Sequence, residues 1–189
     1  MEENTYTVQV VRSSRKTLGI EIRSGNLVLV RAPMRMPVSE IRRMVNQRRE
    51  WIEKHLAAAA QREASLQAVP RMTREEIEAL AKEALAWFPP RVQMFAVKMG
   101  IRYGRITIRN QKTRWGSCSS DGNLNFNCML MLCPEEIRDY VIVHELCHRL
   151  EMNHSPRFWA EVEKQLPDYR KLKKWLKANG QTILARMGP

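Results

Sequence analysis

The stretch His144-Glu145-Leu146-Cys147-His148 constrains the fold and the chemistry of this chain more than any other. On an α-helix, residues four apart lie on the same face, so His144 and His148 can share one divalent cation. Glu145 lies beside them and is the candidate general base. His154 follows six residues later and can supply a third imidazole if the helix ends soon after His148. Three protein ligands with one open position are typical of a catalytic zinc site, whereas structural zinc sites are closed by four.

The alternative interpretation is a helix that carries two surface histidines by chance. The residues around the motif are apolar on nearly all sides of the helix, namely Tyr140 to Val143, Leu146, Cys147 and Leu150. This pattern predicts a buried helix instead. Buried polar groups are costly unless they have partners, so a shared metal is favoured. Asn153 is the candidate left-handed residue for the turn back to His154, and Ser155-Pro156 is predicted to begin the next helix.

Zinc is the default metal for three imidazoles plus water, with one ion expected per chain. Zinc lowers the pKa of such a water and polarises a substrate carbonyl. Glu145 would accept the proton of the zinc-bound water and pass it to the leaving group. The sequence therefore predicts a zinc-dependent hydrolase, with a metallopeptidase acting on peptides or proteins as the first hypothesis.

The segment before the metal helix is the candidate contact for substrate. Residues 123–131 are predicted to form a strand, with Asn125 and Asn127 on its polar face. Peptides often bind by adding a strand to an exposed sheet edge, so this strand is a candidate edge; an ordinary core strand is the alternative. Arg114 and Trp115 are candidates to line the cleft, with a core position as the alternative for Trp115.

The composition is that of a soluble globular protein, with 44% hydrophobic and 28% charged residues among 189. No apolar run approaches the length of a membrane span, which argues against a membrane partner. The start, Met1 to Asn4, lacks the basic and then apolar layout of a secretory signal, so we expect a cytoplasmic protein. The four cysteines are predicted to be reduced core residues, and packing is favoured over metal binding for Cys147.

The net charge of +12 comes from 32 basic and 20 acidic side chains and favours anionic partners. Nucleic acid or a nucleotide, bound through a basic surface, is one interpretation. Solvated helix faces are the other, because the basic residues alternate with apolar positions at helical spacing. Nothing in the sequence indicates the oligomeric state.

Periodicity divides the chain into two parts. Residues 1–72 are predicted to form an antiparallel β-meander of three strands, a helix to about residue 60 and a linker over 61–72. Residues 73–189 are predicted to form the catalytic domain.

A capping box of Thr73 and Glu76 begins the first helix of this domain. Pro89-Pro90 should end or sharply bend that helix, and Gly100 should end the segment that follows. Strands are predicted near Ile106 and Ile108 and over residues 114–118, with a hairpin turn at 120–122. The last helix is predicted from about Asp168 to Gly180.

Three motifs carry a resemblance to a known family: Arg114-Trp115-Gly116-Ser117-Cys118, the run Tyr140 to His148, and the run Asn153 to Trp159. They resemble the YgjP-like metal-dependent hydrolases, which are akin to the SprT-like and WLM zinc metallopeptidases. The resemblance implies an α+β fold with a zincin-like minimal metallopeptidase core, namely a small antiparallel sheet, the HExxH helix and flanking helices. By matching positions, it implies that His144, His148 and His154 bind zinc and that Glu145 is catalytic.

Two other functions stay open. A metal-dependent hydrolase of a nucleotide phosphoanhydride would suit the basic surface, because divalent metals also catalyse phosphoryl transfer. A DNA-associated binding module with a structural zinc would bind DNA in a salt-dependent way without turnover. Glu145 and the presence of only three evident ligands favour an enzyme over the binding module.

Overall fold

A computed structural model describes residues 6–187, which fall into two compact units that divide between Ala68 and Val69. Residues 1–5, on which the prediction about a secretory signal depends, lie outside the described residues, as do residues 188–189. Over residues 6–187 no helix combines the length and the apolar character that crossing a bilayer requires.

The first unit contains a three-stranded sheet of β1 (Thr7–Ser13), β2 (Gly19–Arg23) and β3 (Leu27–Pro33) in the order β1-β3-β2. β3 is antiparallel to β2 but parallel to β1, so the predicted antiparallel meander is wrong. β3 takes the central place because it is the most apolar strand, with Val28, Val30 and Ala32 fully buried. A tight turn at Gly25 and Asn26, both with positive φ, leads from β2 directly into β3.

Two helices follow in this unit, α1 (Val38–Asn46) and α2 (Arg49–Gln67). The sequence predicts one helix to about residue 60 and a linker over 61–72, and both expectations are wrong in part. The helical conformation is interrupted at residues 47–48, which separates α1 from α2, and α2 then continues to Gln67. Residues 61–67 show no apolar period, but most are strong helix formers and need no buried face to extend an existing helix.

The second unit begins with α3 (Arg74–Met99), followed by the strands β4 (Ile106–Arg109), β5 (Gly116–Cys118) and β6 (Leu124–Asn127). A short 3-10 turn spans Cys128–Leu132, and three helices complete the unit: α4 (Glu135–Cys147), α5 (Pro156–Gln165) and α6 (Tyr169–Ala185). The described chain is therefore a mixed α+β protein, as predicted.

The helix α3 begins at the predicted capping box, since Thr73 Oγ1 accepts from the Glu76 N–H and a Glu76 carboxylate oxygen accepts from the Thr73 N–H. It ends at Gly100, whose φ of 66° is left-handed.

Contrary to prediction, α3 continues through Pro89 and Pro90. Each proline removes one backbone hydrogen bond, but the two carbonyls thereby freed lie on exposed residues and can bind water. The same helix buries Phe88, Val92 and Phe95, and each such burial contributes about 1.5–3 kcal/mol, enough to offset the prolines.

The strand β6 occupies the centre of the second sheet, whose order is β4-β6-β5. β4 runs parallel to β6 and β5 antiparallel, so the expected antiparallel sheet is a mixed one. The proposal that residues 123–131 form an exposed edge is wrong, because both sides of β6 are paired and the chain leaves the sheet after Asn127. Leu124, Phe126 and the following Cys128–Leu130 are fully buried, which explains the central position.

The C-terminal helices begin where the sequence predicts. α4 starts after Pro134, and Ser155 caps α5 by accepting from the Phe158 N–H at 3.3 Å. α6 does not end at Gly180 but continues to Ala185. A Cβ on Gly180 would lie 3.1 Å from the Trp115 ring, so glycine at this position allows close packing instead of ending the helix.

Candidate metal centre

The metal motif lies in the last turn of α4. His144 and Glu145 belong to this helix and His148 is its C-cap, so the helix ends where a third ligand requires it to end. Four of the apolar residues around the motif are fully buried, as predicted: Ile142, Val143, Leu146 and Cys147. Leu150 was expected to be buried too but is 50% exposed, because it lies beyond the end of the helix. All four cysteines are free, and the packing role favoured for Cys147 agrees with its burial.

The chain turns back towards His154 through short-range hydrogen bonds. The Arg149 N–H donates to the Leu146 carbonyl and the Leu150 N–H to the Cys147 carbonyl, each at 2.9 Å, which tightens the end of the helix. Asn153 is not left-handed, since Asn26 is the sole non-glycine residue with positive φ over residues 6–187. That prediction is wrong: successive tight turns reverse the chain with ordinary negative φ values.

The turn places three imidazoles together. One ligand nitrogen from each of His144, His148 and His154 lies within 4.8 Å of the others. The Nε2 atoms of His144 and His154 are 3.0 Å apart. Two nitrogens in tetrahedral positions around zinc would be about 3.3 Å apart at ordinary Zn–N lengths, so the donor set fits such an ion.

A hydrogen bond orients the His148 ring so that its other nitrogen can bind a metal. Its Nδ1 lies 3.1 Å from the Glu151 carbonyl oxygen. A carbonyl only accepts, so Nδ1 carries the hydrogen and Nε2 keeps its lone pair for a metal. The Nδ1 of His144 is buried without a hydrogen bond to any of residues 6–187.

The environment keeps two of the imidazoles neutral. The pKa of His144 is lowered to about 3, mainly by burial and in smaller part by the charges of His148, His154 and Lys173. Burial also lowers the pKa of His154, with His148 and Lys173 contributing. Metal ligation requires neutral imidazole, so these shifts favour binding of a cation near neutral pH.

Aromatic side chains surround the three histidines. Phe158 is buried with its ring centroid 4.9 Å from that of His144 and 4.5 Å from that of His148. The Trp159 ring is stacked on the His154 ring, with their centroids 5.6 Å apart. The Lys173 ammonium lies 3.8 Å from the centroid of the Trp159 ring. The imidazoles therefore have packed neighbours that limit their rotation.

Glu145 is buried beside the histidines, with 5% of its surface exposed. Its carboxylate makes no hydrogen bond to any described residue, and burial raises its pKa to about 8. A carboxyl group with a pKa near neutrality can both accept and release a proton at physiological pH.

A cleft of about 220 Å³ opens onto Glu145 and His144. Its lining residues come from three places: Arg114, Trp115 and Gly116 at the start of β5, Tyr140 and Val141 with the site residues on α4, and Leu176 on α6. Trp115 lines the cleft and also packs against the core, so the cleft position and the core position are not exclusive alternatives. Arg114 is exposed and forms no ion pair within residues 6–187.

The two predicted asparagines lie in different surroundings. The Asn125 side-chain amide donates to Ser117 Oγ at 3.1 Å across the β5–β6 pair, and the residue is partly exposed. The Asn127 amide donates to the Gln111 and Arg114 carbonyls, and its oxygen accepts from the Met129 N–H. Asn127 is 1% exposed, which is at odds with a contact to substrate; its side chain anchors the loop before β5.

Sequence reasoning missed four cleft residues: Gly116, Tyr140, Val141 and Leu176. A signal was present for Gly116, because an isolated glycine within a strand pattern marks a close approach of another group. Tyr140 and Leu176 carry no such signal, since apolar and aromatic residues at helical spacing also describe an ordinary core face.

Comparison with known proteins gives one family and several partial structural likenesses. The model of the YgjP-like, metallopeptidase domain family matches residues 16–77 and 67–179. No curated protein matches the chain. The chain is similar to the metallopeptidase zymogen of Pyrococcus abyssi abylysin, with 23% identity over 47% of this chain and 91% of that one and a TM-score of 0.43. It is also similar to the zymogen of Methanocaldococcus jannaschii jannalysin, with 26% identity over 47% and 94% of the two chains and a TM-score of 0.40.

Both of these structural likenesses are too distant to support an argument, whereas the family match extends over most of the sequence. This chain therefore belongs to the YgjP-like metallopeptidase domain family.

Proposed function

We propose that this protein is a zinc-dependent peptidase in which His144, His148 and His154 hold one zinc ion and Glu145 is the catalytic base. The observation that carries the proposal is the convergence of the three imidazole nitrogens within 4.8 Å of one another. One of these imidazoles, that of His144, lines a cleft together with Glu145. Membership in a metallopeptidase family supports a metal-dependent hydrolase. The catalytic domain is assigned to residues 73–189 with a zincin-like core, and a cytoplasmic location agrees with four free cysteines.

When bound, the zinc ion would polarise a substrate carbonyl and lower the pKa of a water at its open position. The protein supplies the remaining chemistry. Glu145 accepts a proton from the attacking water and then donates it to the departing amine. Its buried position favours the protonated form between these two steps, because burial raises the pKa of this carboxyl to about 8.

The peptide substrate would bind along β5, which replaces β6 as the candidate edge. β5 is an edge strand of its sheet, and Gly116 at its start lines the cleft beside Glu145. An extended peptide can hydrogen-bond to the free side of such a strand. Arg114 would contact substrate carbonyl or carboxylate oxygens, Trp115 would pack against a side chain, and Asn125 is a further candidate contact on the sheet.

Metal content tests the first part of the proposal. The wild type should contain about one zinc per chain, and His148→Ala should lose it because one of three ligands is removed. His55→Ala is the matched control, since His55 is an exposed histidine of the first unit that stacks on Trp51. Zinc retained in full by His148→Ala would contradict the assignment of ligands.

Turnover tests the second part. Glu145→Gln should keep the zinc but lose peptide hydrolysis, measured with a mixture of unstructured peptides and proteins. Full activity of this variant would eliminate Glu145 as the base.

A second candidate function is hydrolysis of a nucleotide phosphoanhydride. The observation that favours it is the exposed Arg114 at the cleft of a chain with net charge +12. Incubating the protein with nucleoside triphosphates and with peptides under the same conditions distinguishes the two candidate functions by which substrate is hydrolysed. A DNA-associated module would instead show salt-dependent DNA binding that persists in Glu145→Gln, with no turnover of either substrate.

A further inference from the structure

The glycine at the start of β5 has an unusual neighbour. A Cβ built on Gly116 would lie 2.7 Å from Glu145 Oε1, 2.8 Å from Cγ and 3.0 Å from Cδ. These are the three nearest heavy atoms, so the space that a side chain would occupy at position 116 is filled by the side chain of Glu145.

The backbone at Gly116 does not explain the glycine. Three glycines of residues 6–187 have a positive φ, namely Gly25, Gly100 and Gly122, and Gly116 is not among them. Any amino acid can adopt its extended conformation, and a β-branched residue would stabilise a strand better. Glycine within a strand otherwise weakens it and marks a close approach of another group.

The neighbouring strand compensates for the missing side chain. Gly116 pairs across the sheet with Phe126, which is fully buried and stacks on Phe88 at 4.6 Å. A large aromatic residue opposite a strand glycine covers the exposed backbone. The sheet therefore keeps its packing while position 116 leaves room for the Glu145 side chain of α4.

We infer that Gly116 is a positioning residue for Glu145: the absence of a side chain at position 116 creates the space that holds the Glu145 carboxylate beside the histidine cluster. This inference deepens the proposed function and rests on it for its effect on turnover. An ordinary van der Waals contact needs about 3.4 Å, so alanine at 116 would displace the carboxylate by about 0.7 Å or more. The three nearest atoms all belong to Glu145, so we expect this side chain to move and the three histidines to keep their positions.

A double-mutant cycle in metal-free protein tests the contact without any assumption about activity. Gly116→Ala should lower the urea midpoint in the wild-type background, because the added methyl group meets a buried carboxyl group. In the Glu145→Ala background the same substitution should leave the midpoint unchanged or raise it, since the methyl group then enters free space. An equal drop in both backgrounds, or no drop in either, would overturn the inference.

Two additional variants keep the test decisive if Gly116→Ala fails to fold alone. Gly116→Ala/Glu145→Ala should fold, and Gly116→Ala/Glu145→Asp should approach the stability of Glu145→Asp, because the shorter acid withdraws from the added methyl group. Failure of these double variants to recover stability would contradict the direct contact.

The effect on turnover is a separate measurement. Gly116→Ala should keep about one zinc per chain and a nearly unchanged KM, while kcat falls on the order of 100-fold for a base displaced by about 1 Å. Unchanged kcat in fully loaded Gly116→Ala would overturn the positioning role. If no peptide or nucleotide is hydrolysed by the wild type, the proposed function fails, and the stability cycle still decides whether Gly116 makes room for Glu145.

Discussion

The substitution Glu145→Gln should change how stability depends on pH in the metal-free protein. Burial raises the pKa of Glu145 from 4.5 to about 8 in the folded state. Below pH 4.5 the Glu145 carboxyl is protonated in both the folded and the unfolded state, so the folded protein has its full stability with respect to this group. Between 4.5 and about 8 the unfolded chain ionises while the folded chain keeps the proton, so the wild type loses stability as the pH rises.

The expected size of this loss follows from the two pKa values. At 1.36 kcal/mol for each pKa unit, the difference between 4.5 and about 8 corresponds to about 5 kcal/mol above pH 8. Glutamine does not titrate, so the free energy of unfolding of the wild type relative to Glu145→Gln should fall by up to this amount. A typical domain has about 5–15 kcal/mol of total stability, which makes the effect large.

Urea unfolding at several pH values between 4 and 9, with a chelator present, measures this difference directly. Comparing two variants at each pH removes the contributions of the histidines, which both proteins share. Glu136→Gln is a control for removing one carboxylate from α4, since Glu136 is exposed on the first turn of that helix. A difference between wild type and Glu145→Gln that is constant across this range would refute the buried carboxyl as described.

Three further predictions concern stability. Asp139→Ala removes the carboxylate that accepts two hydrogen bonds from Arg91 at 2.8 and 2.6 Å between α4 and α3, and we expect a loss of about 1.5–3 kcal/mol in urea unfolding; no loss would mean that the pair is fully solvated. Gly100→Ala places a Cβ at a φ of 66° and should cost about 1–2 kcal/mol, with an unchanged thermal midpoint as the contrary result. Gly180→Val forces a branched side chain against Trp115 and should lower the free energy of unfolding by about 1–3 kcal/mol. No loss would mean that α6 moves away from Trp115.

The features that the sequence predicts correctly are those with local causes. The capping box at Thr73, the glycine end at Gly100 and the Ser155 cap depend on residues within one turn of each other. The convergence of His144 and His148 has the same origin, because helical geometry alone places residues four apart on one face. The approach of His154 followed from the short distance along the chain and the early end of α4.

The errors concern choices among structures that are locally equivalent. β1 pairs parallel with β3 and β4 parallel with β6, because the most apolar strand of each sheet takes the buried centre, and no short-range pattern specifies that order. α3 continues through Pro89 and Pro90 because its buried face is stabilised by distant residues.

The candidate site shows the same division between local and distant causes. The residues of the candidate metal site were predicted from the sequence itself, since three histidines and one glutamate at this spacing have few other uses. The surroundings of the motif were decided only by the tertiary structure: β5 as the edge beside Glu145, the open space at Gly116, and the wall formed by Leu176. These residues are far apart in sequence, and their contacts depend on how the sheet and the helices pack together.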